Sequence, residues 1–344
     1  MLILKRFHIS LLAILGAVNV LATDGALSGR FTINANGDQV IFSQGNLQYQ
    51  PSTHTWRFAE HQYDYVGDAT KGNVYENSIK SNNLLIDNTY SGWIDLFSWG
   101  TGNNPTNYSN NYLDYLDFFD WGNYVDNSTG NVLNPWRTLS KEEWTYIFFM
   151  RLDSTSLFGF GCVAGVNGCI LLPDNWVLPV ELSFVSAKER GILLYEEDTE
   201  YFQYFNENAD NYTHNTYTAE QWEIMEAGGA VFFPAAGYRQ NIQSVKVYNC
   251  EKHGLYWTNS KEGNNKAYNV SIEVSRCMTN KAVATLNFGQ GNSVRLAKNY
   301  IEEVSTGYEN FSLAEGRGRI VLKDGHVMIC FRGHCYDILG NRLK

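Results

Sequence analysis

GGAVFFPAAGYR (228–239), GLYWTNS (254–260), AYNVSIEV (267–274) and NSVRL (292–296) are short runs dense in aromatic and β-branched residues. Connectors rich in Gly, Asn and Lys divide them. This pattern predicts consecutive antiparallel strands joined by long loops. Polar character concentrates in the connectors, so the strands read as core and the loops as a working face.

Outward from that stretch, the chain is 344 residues long, 44% hydrophobic and 15% aromatic. That is enough apolar material for one large or two smaller domains, and too much for a disordered chain. Residues 1–22 stand apart. Lys5 and Arg6 precede an apolar run at 9–18 and the small-residue site Val20-Leu21-Ala22. The pattern predicts a cleaved secretory signal, and the apolar run is short for a membrane span. No cysteine follows the site, which argues against a lipoprotein anchor. The expected location is therefore secreted or outer-surface, and no later segment reads as transmembrane. Losing Lys5 and Arg6 takes the basic residues from 26 to 24 against 36 acidic ones, a formal charge of −12. Such a surface repels nucleic acid and anionic lipid.

All six cysteines (Cys162, Cys169, Cys250, Cys277, Cys330, Cys335) lie beyond the signal, where disulfides persist. In MICFRGHCYDI (328–338), a two-residue turn at Arg332-Gly333 pairs Phe331 with His334. That puts Cys330 opposite Cys335 at a non-hydrogen-bonded position, where Cβ atoms come close. This bridge is expected. Cys162–Cys169 is a further candidate by proximity, and Cys250–Cys277 by elimination.

In chain order, RFTI, QVIFS, NLQYQ and then 55–68 read as strands with turns at Asn36-Gly37 and Gly45-Asn46. Residues 69–135 are rich in Asn, Tyr, Asp and Gly and carry two aromatic knots, WIDLFSWG (93–100) and YLDFFDWGNY (115–124). So many aromatics need burial, which predicts a long but structured loop. Ser140…Glu143 and Thr218…Gln221 are capping boxes that open two helices, with Gly228-Gly229 closing the second. CVAGVNGCILLPDNW (162–176) reads as a hairpin whose second strand is ILLP (170–173), and 180–216 as an acidic, Tyr-rich insertion. A polar connector (299–316) leads to 317–344, a small set of hairpins turning at Asp324-Gly325, Arg332-Gly333 and Gly340-Asn341.

The order of these features, with YWTNS (256–260), SVRL (293–296) and GNLQYQPSTHTWRFAEHQYDYVGD (45–68), resembles exported Bacteroidetes proteins that carry the Fibrobacter succinogenes major paralogous domain. The resemblance spans roughly residues 29–298. It implies an α+β, C-type lectin-like domain over 23–298, with two helices, antiparallel sheets and a long-loop region. DGHVMICFRGHCYDILGNRL, in the small C-terminal β-hairpin unit, resembles the short strand modules of Bacteroidetes secretion substrates.

The chain carries no G-x-S-x-G, P-loop, H-E-x-x-H or C-x-x-C spacing. GFGCVAG (159–165) lacks the βαβ setting of a dinucleotide loop, and the histidines have no metal-ligand spacing. DNSTGN (126–131) is too loose for an EF-hand loop. Some relatives of this fold are oxygenases with a pair of copper-binding cysteines, and the motif around that pair is missing here. No cofactor is expected, calcium being the one that the polar residues could take. Asn259, Glu262, Asn264 and Asn265 follow Trp257 and offer the oxygens that a hard cation takes. The lectin tripeptides Glu-Pro-Asn and Gln-Pro-Asp are absent. Trp99, Trp121, Tyr124, Tyr238 and Tyr256 are candidates for stacking on sugar rings, while Trp144, Trp222 and Trp257 read as core. Arg239 and Arg295 are expected to pair with Asp174 or with each other's neighbours rather than with a ligand. The expected function is non-enzymatic recognition of a glycan or protein through the long loops. The alternatives are a structural surface component without a specific ligand, and an oxygenase or hydrolase on the same fold.

Overall fold

The computed structural model describes residues 25–67, 89–107, 109, 111–125, 135–190, 193–194, 202–203, 212–240, 246–273, 276–281 and 288–301. Beyond these it describes the strands at 319–323, 326–331, 334–336 and 342–343. The expected signal segment (1–22), DNSTGN (126–131) and residues 191–192, 195–201 and 204–211 of the expected acidic insertion lie outside the described residues. So does the connector beyond residue 301. The chain divides into two compact units, split between Tyr300 and Ile301. It is mixed α+β, mostly sheet with two short helices. Among the described residues no helix is long and apolar enough to cross a membrane.

The first unit opens with β1 (Phe31–Thr32) and β2 (Gln39–Phe42), then β3 (Leu47–Gln50) paired with β4 (Thr55–Phe58). Helix α1 (Lys141–Thr145) starts at the predicted capping box, with both reciprocal Ser140–Glu143 bonds made. It then widens into a π turn over Tyr146–Met150. β5 (Phe158–Val163) and β6 (Val166–Leu171) form a hairpin turning at Ala164-Gly165, so the second strand starts earlier than the expected ILLP and ends at Leu171. The short β7 (Leu193–Leu194) and β8 (Phe202–Gln203) pair with each other. β9 (Thr216–Tyr217) leads to α2 (Ala219–Ala227), whose Thr218–Gln221 box is also complete. Gly229 ends this helix in the left-handed region at φ +94°, which glycine takes without a Cβ clash.

The run 228–239 does not form one strand. β10 (Val231–Pro234) pairs with β6, whereas β11 (Ala236–Gln240) belongs to a different sheet. The break falls at Ala235, whose N–H goes to Asn167 O and whose carbonyl accepts from Glu251 N. Pro234 supplies no N–H to continue the ladder. That second sheet runs β12 (Lys246–Cys250), β11, β13 (His253–Glu262), β14 (Lys266–Glu273), β15 (Arg276–Lys281). β11 meets β13 in parallel, at Gly237 and Gly254. NSVRL is likewise not a regular strand. It touches Phe97 and Tyr256 through isolated bridges before β16 (Ala297–Asn299) pairs with β2. The beginning and end of the unit are thereby zipped together.

Three apolar clusters fill this unit. One joins β2, α1 and the β5–β6–β10 sheet through Phe42, Trp144, Phe148, Phe158 and Phe233. Another seats Trp222 and Met225 of α2 against Ile170 and Phe232. The third lies where sequence predicts loop: Phe97, Trp99, Tyr115, Trp121 and Trp136 pack with Trp257 and Phe288. The predicted aromatic-rich, structured loop is thus the lining of a core.

The second unit is a four-stranded antiparallel sheet of β17 (Arg319–Lys323), β18 (His326–Phe331), β19 (His334–Tyr336) and β20 (Arg342–Leu343). Lys323 pairs with His326, Phe331 with His334 and Tyr336 with Arg342, while the expected turn residues themselves lie outside the described residues. Cys330 is opposite Cys335, as the hairpin register demands. The other expected bridges are corrected. Cys162 and Cys169 are free thiols, and Cys162 faces Asn167 while Cys169 faces Phe160. Cys250 and Cys277 lie on the two edge strands of one sheet with three strands between them, beyond the reach of a disulfide.

Within the first unit, Asp174 ties β1, β2 and the end of the α1 segment together. It accepts from Thr32 N and Oγ1 (2.8 and 2.7 Å), Gln39 Nε2 (2.9 Å) and Arg151 NH1 (2.9 Å). The Arg151 side chain is 2% exposed, and burial lowers its pKa against the opposing pull of Asp174. Removing the carboxylate strands a buried cation. Asp174→Ala should therefore lower stability in urea titration by about 3 kcal/mol, and an unchanged midpoint would contradict this role.

Candidate functional site

The candidates chosen from sequence do not converge. Trp99 stacks on Phe288 (4.6 Å between ring centres) and donates its indole N–H to Thr258 O. Trp121 is fully buried against Phe118, and the Tyr256 hydroxyl donates to Pro234 O inside the core. Burial pushes the Tyr256 phenol far up, so it stays protonated. The expectation that these three rings face solvent is corrected. Each is enclosed by residues brought in from distant parts of the chain. Tyr124 is exposed and Tyr238 half-buried.

Asn259 is tied into the structure, its amide donating to Thr138 O and its carbonyl accepting from Ser260 Oγ. Glu262 closes β13, and Asn264 and Asn265 are exposed in the turn that follows. His253 opens the same strand. At about 3.3 Å per residue the two ends of β13 are roughly 30 Å apart. The polar turn and Tyr238, which sits beside the start of β13, therefore belong to separate surfaces.

The expected pairing of Arg239 and Arg295 with Asp174 is also corrected, since Asp174 holds Arg151. The buried Arg295 donates to Phe232 O (2.7 Å), Gln62 Oε1 (2.9 Å) and Asn46 Oδ1 (3.4 Å). Its neighbours are mostly neutral, and burial draws its pKa down to about 10. It is still a cation at neutral pH. Arg239 donates to Leu96 O, and its backbone exchanges two bonds with Gly291. Strand alternation points Arg239 inward and Tyr238 outward, so the buried guanidinium anchors the strand that carries the half-buried ring.

Around Tyr238 the structure does assemble a surface. Tyr238 and Tyr248 are directly opposite on β11 and β12, with ring centres 6.3 Å apart and planes 29° from parallel. His253 lies 6.4 Å from Tyr238 at 25°. Asn249 is exposed at the rim, its amide 3.5 Å from the Tyr238 hydroxyl and 3.3 Å from His253 Nδ1. Burial and the neighbouring Tyr248 raise the Tyr238 pKa, so the hydroxyl keeps its proton. Two backbone turns shape the row. Asn249 takes φ +58°, and Gly237 takes φ +76°. A Cβ on Gly237 would sit 2.5 Å from Tyr248 O.

Sequence reasoning found Tyr238 and missed Tyr248, Asn249 and His253. The signal was present in KVYNCEKHG (246–254), an alternating strand ending in a polar turn, but its partner strand was not evident. Compared with protein-family models, curated proteins and solved structures, the chain matches none.

Gly237→Ala should cost about 1–3 kcal/mol of stability, from the left-handed φ and the clash with Tyr248 O. A urea midpoint equal to wild type would show that the β11–β12 pairing does not need glycine there.

Proposed function

We propose that the first unit is an exported recognition module of the C-type lectin-like kind, related to the Fibrobacter succinogenes major paralogous domain, and that it binds glycan without catalysing a reaction. Two capped helices, antiparallel sheets and long folded loops support the lectin-like reading. The signal-like segment 1–22 supports export. The observation that carries the ligand class is the row of near-parallel rings, Tyr238, Tyr248 and His253, with the Asn249 amide at its edge. Sugar rings offer C–H faces that pack on aromatic faces, and hydroxyls that pair with amide and phenol groups. Rings held on a sheet lose little entropy on binding.

In this reading calcium has no part. Asn259 is engaged with Thr138 and Ser260, and Asn264 and Asn265 lie at the far end of β13 from the rings.

A glycan array followed by calorimetry on the best hit tests this. Tyr238→Ala and Tyr248→Ala should each weaken binding about tenfold. Asn264→Ala with Asn265→Ala should leave it within about twofold. A chelator should also leave affinity unchanged. Loss of binding in chelator, or through the Asn264/Asn265 change alone, would move the site to the β13–β14 turn and overturn the assignment.

A further inference from the structure

Residues 112–120 read YLD-YLD-FFD, three repeats of an aromatic, an apolar and an acidic residue. The surrounding stretch, 81–136, contains six Asp and no Lys, Arg or His. Tyr112–Tyr115 forms a 3-10 turn at the start of this run, with the Tyr112 side chain exposed. Tyr115 and Phe118, which open the second and third repeats, turn inward. Tyr115 packs on Phe288, and Phe118 packs on Trp99 and Trp121. The middle residues point out: Leu113 is 53% exposed, Leu116 50% and Phe119 40%. Asp114 and Asp117 are exposed beside them.

This strip is built and does not merely trail over the surface. The Asn111 side chain caps Leu113 N. Asp120, the third acid of the series, accepts from Gly122 N and from Thr138 N and Oγ1. The aromatic core below therefore fixes a row of apolar side chains and, next to it, a row of carboxylates.

We propose that Leu113, Leu116 and Phe119, with Asp114 and Asp117, form a docking strip for a basic amphipathic polypeptide segment of a partner protein. The partner's apolar side chains cover the Leu/Leu/Phe row while its Lys or Arg side chains meet the carboxylates. Charge decides the occupant. A stretch with six Asp and no cation repels anionic lipid and nucleic acid. Leucines offer a sugar no hydrogen-bonding group. This inference is independent of the glycan site and stands or falls without it.

The test is fluorescence anisotropy of the full chain with a labelled amphipathic peptide of Lys and Leu. The comparison probe has the same charge, with every Leu replaced by Ser. The first peptide should bind at least about tenfold more tightly than the second. Leu116→Ser with Phe119→Ser should remove that preference. Asp114→Asn with Asp117→Asn, both exposed and safe for folding, should weaken binding about tenfold and flatten its salt dependence. Equal binding of the two peptides would reduce the effect to net charge and overturn the proposal. So would strip variants that bind like wild type. Two other outcomes would replace the occupant and overturn it equally: binding to phosphatidylcholine vesicles that the strip variants lose, or self-association of wild type that they lose.

Discussion

Two crossed hydrogen bonds hold the irregular half of the first unit to its sheet. Trp257, on β13, donates its indole N–H to Phe97 O, and Trp99 donates to Thr258 O. Each tryptophan thus reaches into the backbone of the segment that carries the other. Both indoles are buried, so each would leave an unsatisfied donor in the core if the segments parted. The loop and the strand consequently come apart only together, and Phe97, Trp121, Trp136 and Phe288 close around the pair. The described part of this segment, built of short 3-10 turns and isolated bridges, becomes a wall of the unit by this means.

Both proposed surfaces rest on that wall. Arg239 reaches from β11 to Leu96 O on the same segment, which fixes the strand bearing Tyr238. Tyr115 and Phe118 use the other side of the segment as an anchor for the acidic and apolar strip. The buried arginines act alike, since Arg295 joins Asn46, Gln62 and Phe232 from three separate stretches. Neutral acceptors make such a cation costly to bury, and its worth is in fixing which segments meet. The side chains of both proposed surfaces project from this packed frame.

Local features were legible in the sequence, and long-range ones were not. The helices followed from Ser140/Glu143 and Thr218/Gln221, because a capping box is complete within four residues. Cys330 opposite Cys335 followed from a two-residue turn for the same reason. Trp144, Trp222 and Trp257 read as core because they sit in regular elements. Trp99 and Trp121 did not, since a ring flanked by glycine looks the same in a lid as in a core, and Trp99's partner lies 159 residues away. The split of 228–239 at Ala235 was hidden because the residues that capture it, Asn167 and Glu251, come from the β5–β6 hairpin and from the turn between β12 and β13. The ring row was half-visible, because strand register alone brings Tyr248 opposite Tyr238.

Hydrogen exchange at the indole N–H groups tests the crossed pair most directly, read by NMR on the intact chain with labelled tryptophan. If the loop is locked to β13, the Nε1–H signals of Trp99 and Trp257 should exchange as slowly as the backbone amides of β13 and at a rate common to both. Exchange of either indole at the rate of an exposed side chain, while the β13 amides stay protected, would show that the loop opens independently and would contradict the account.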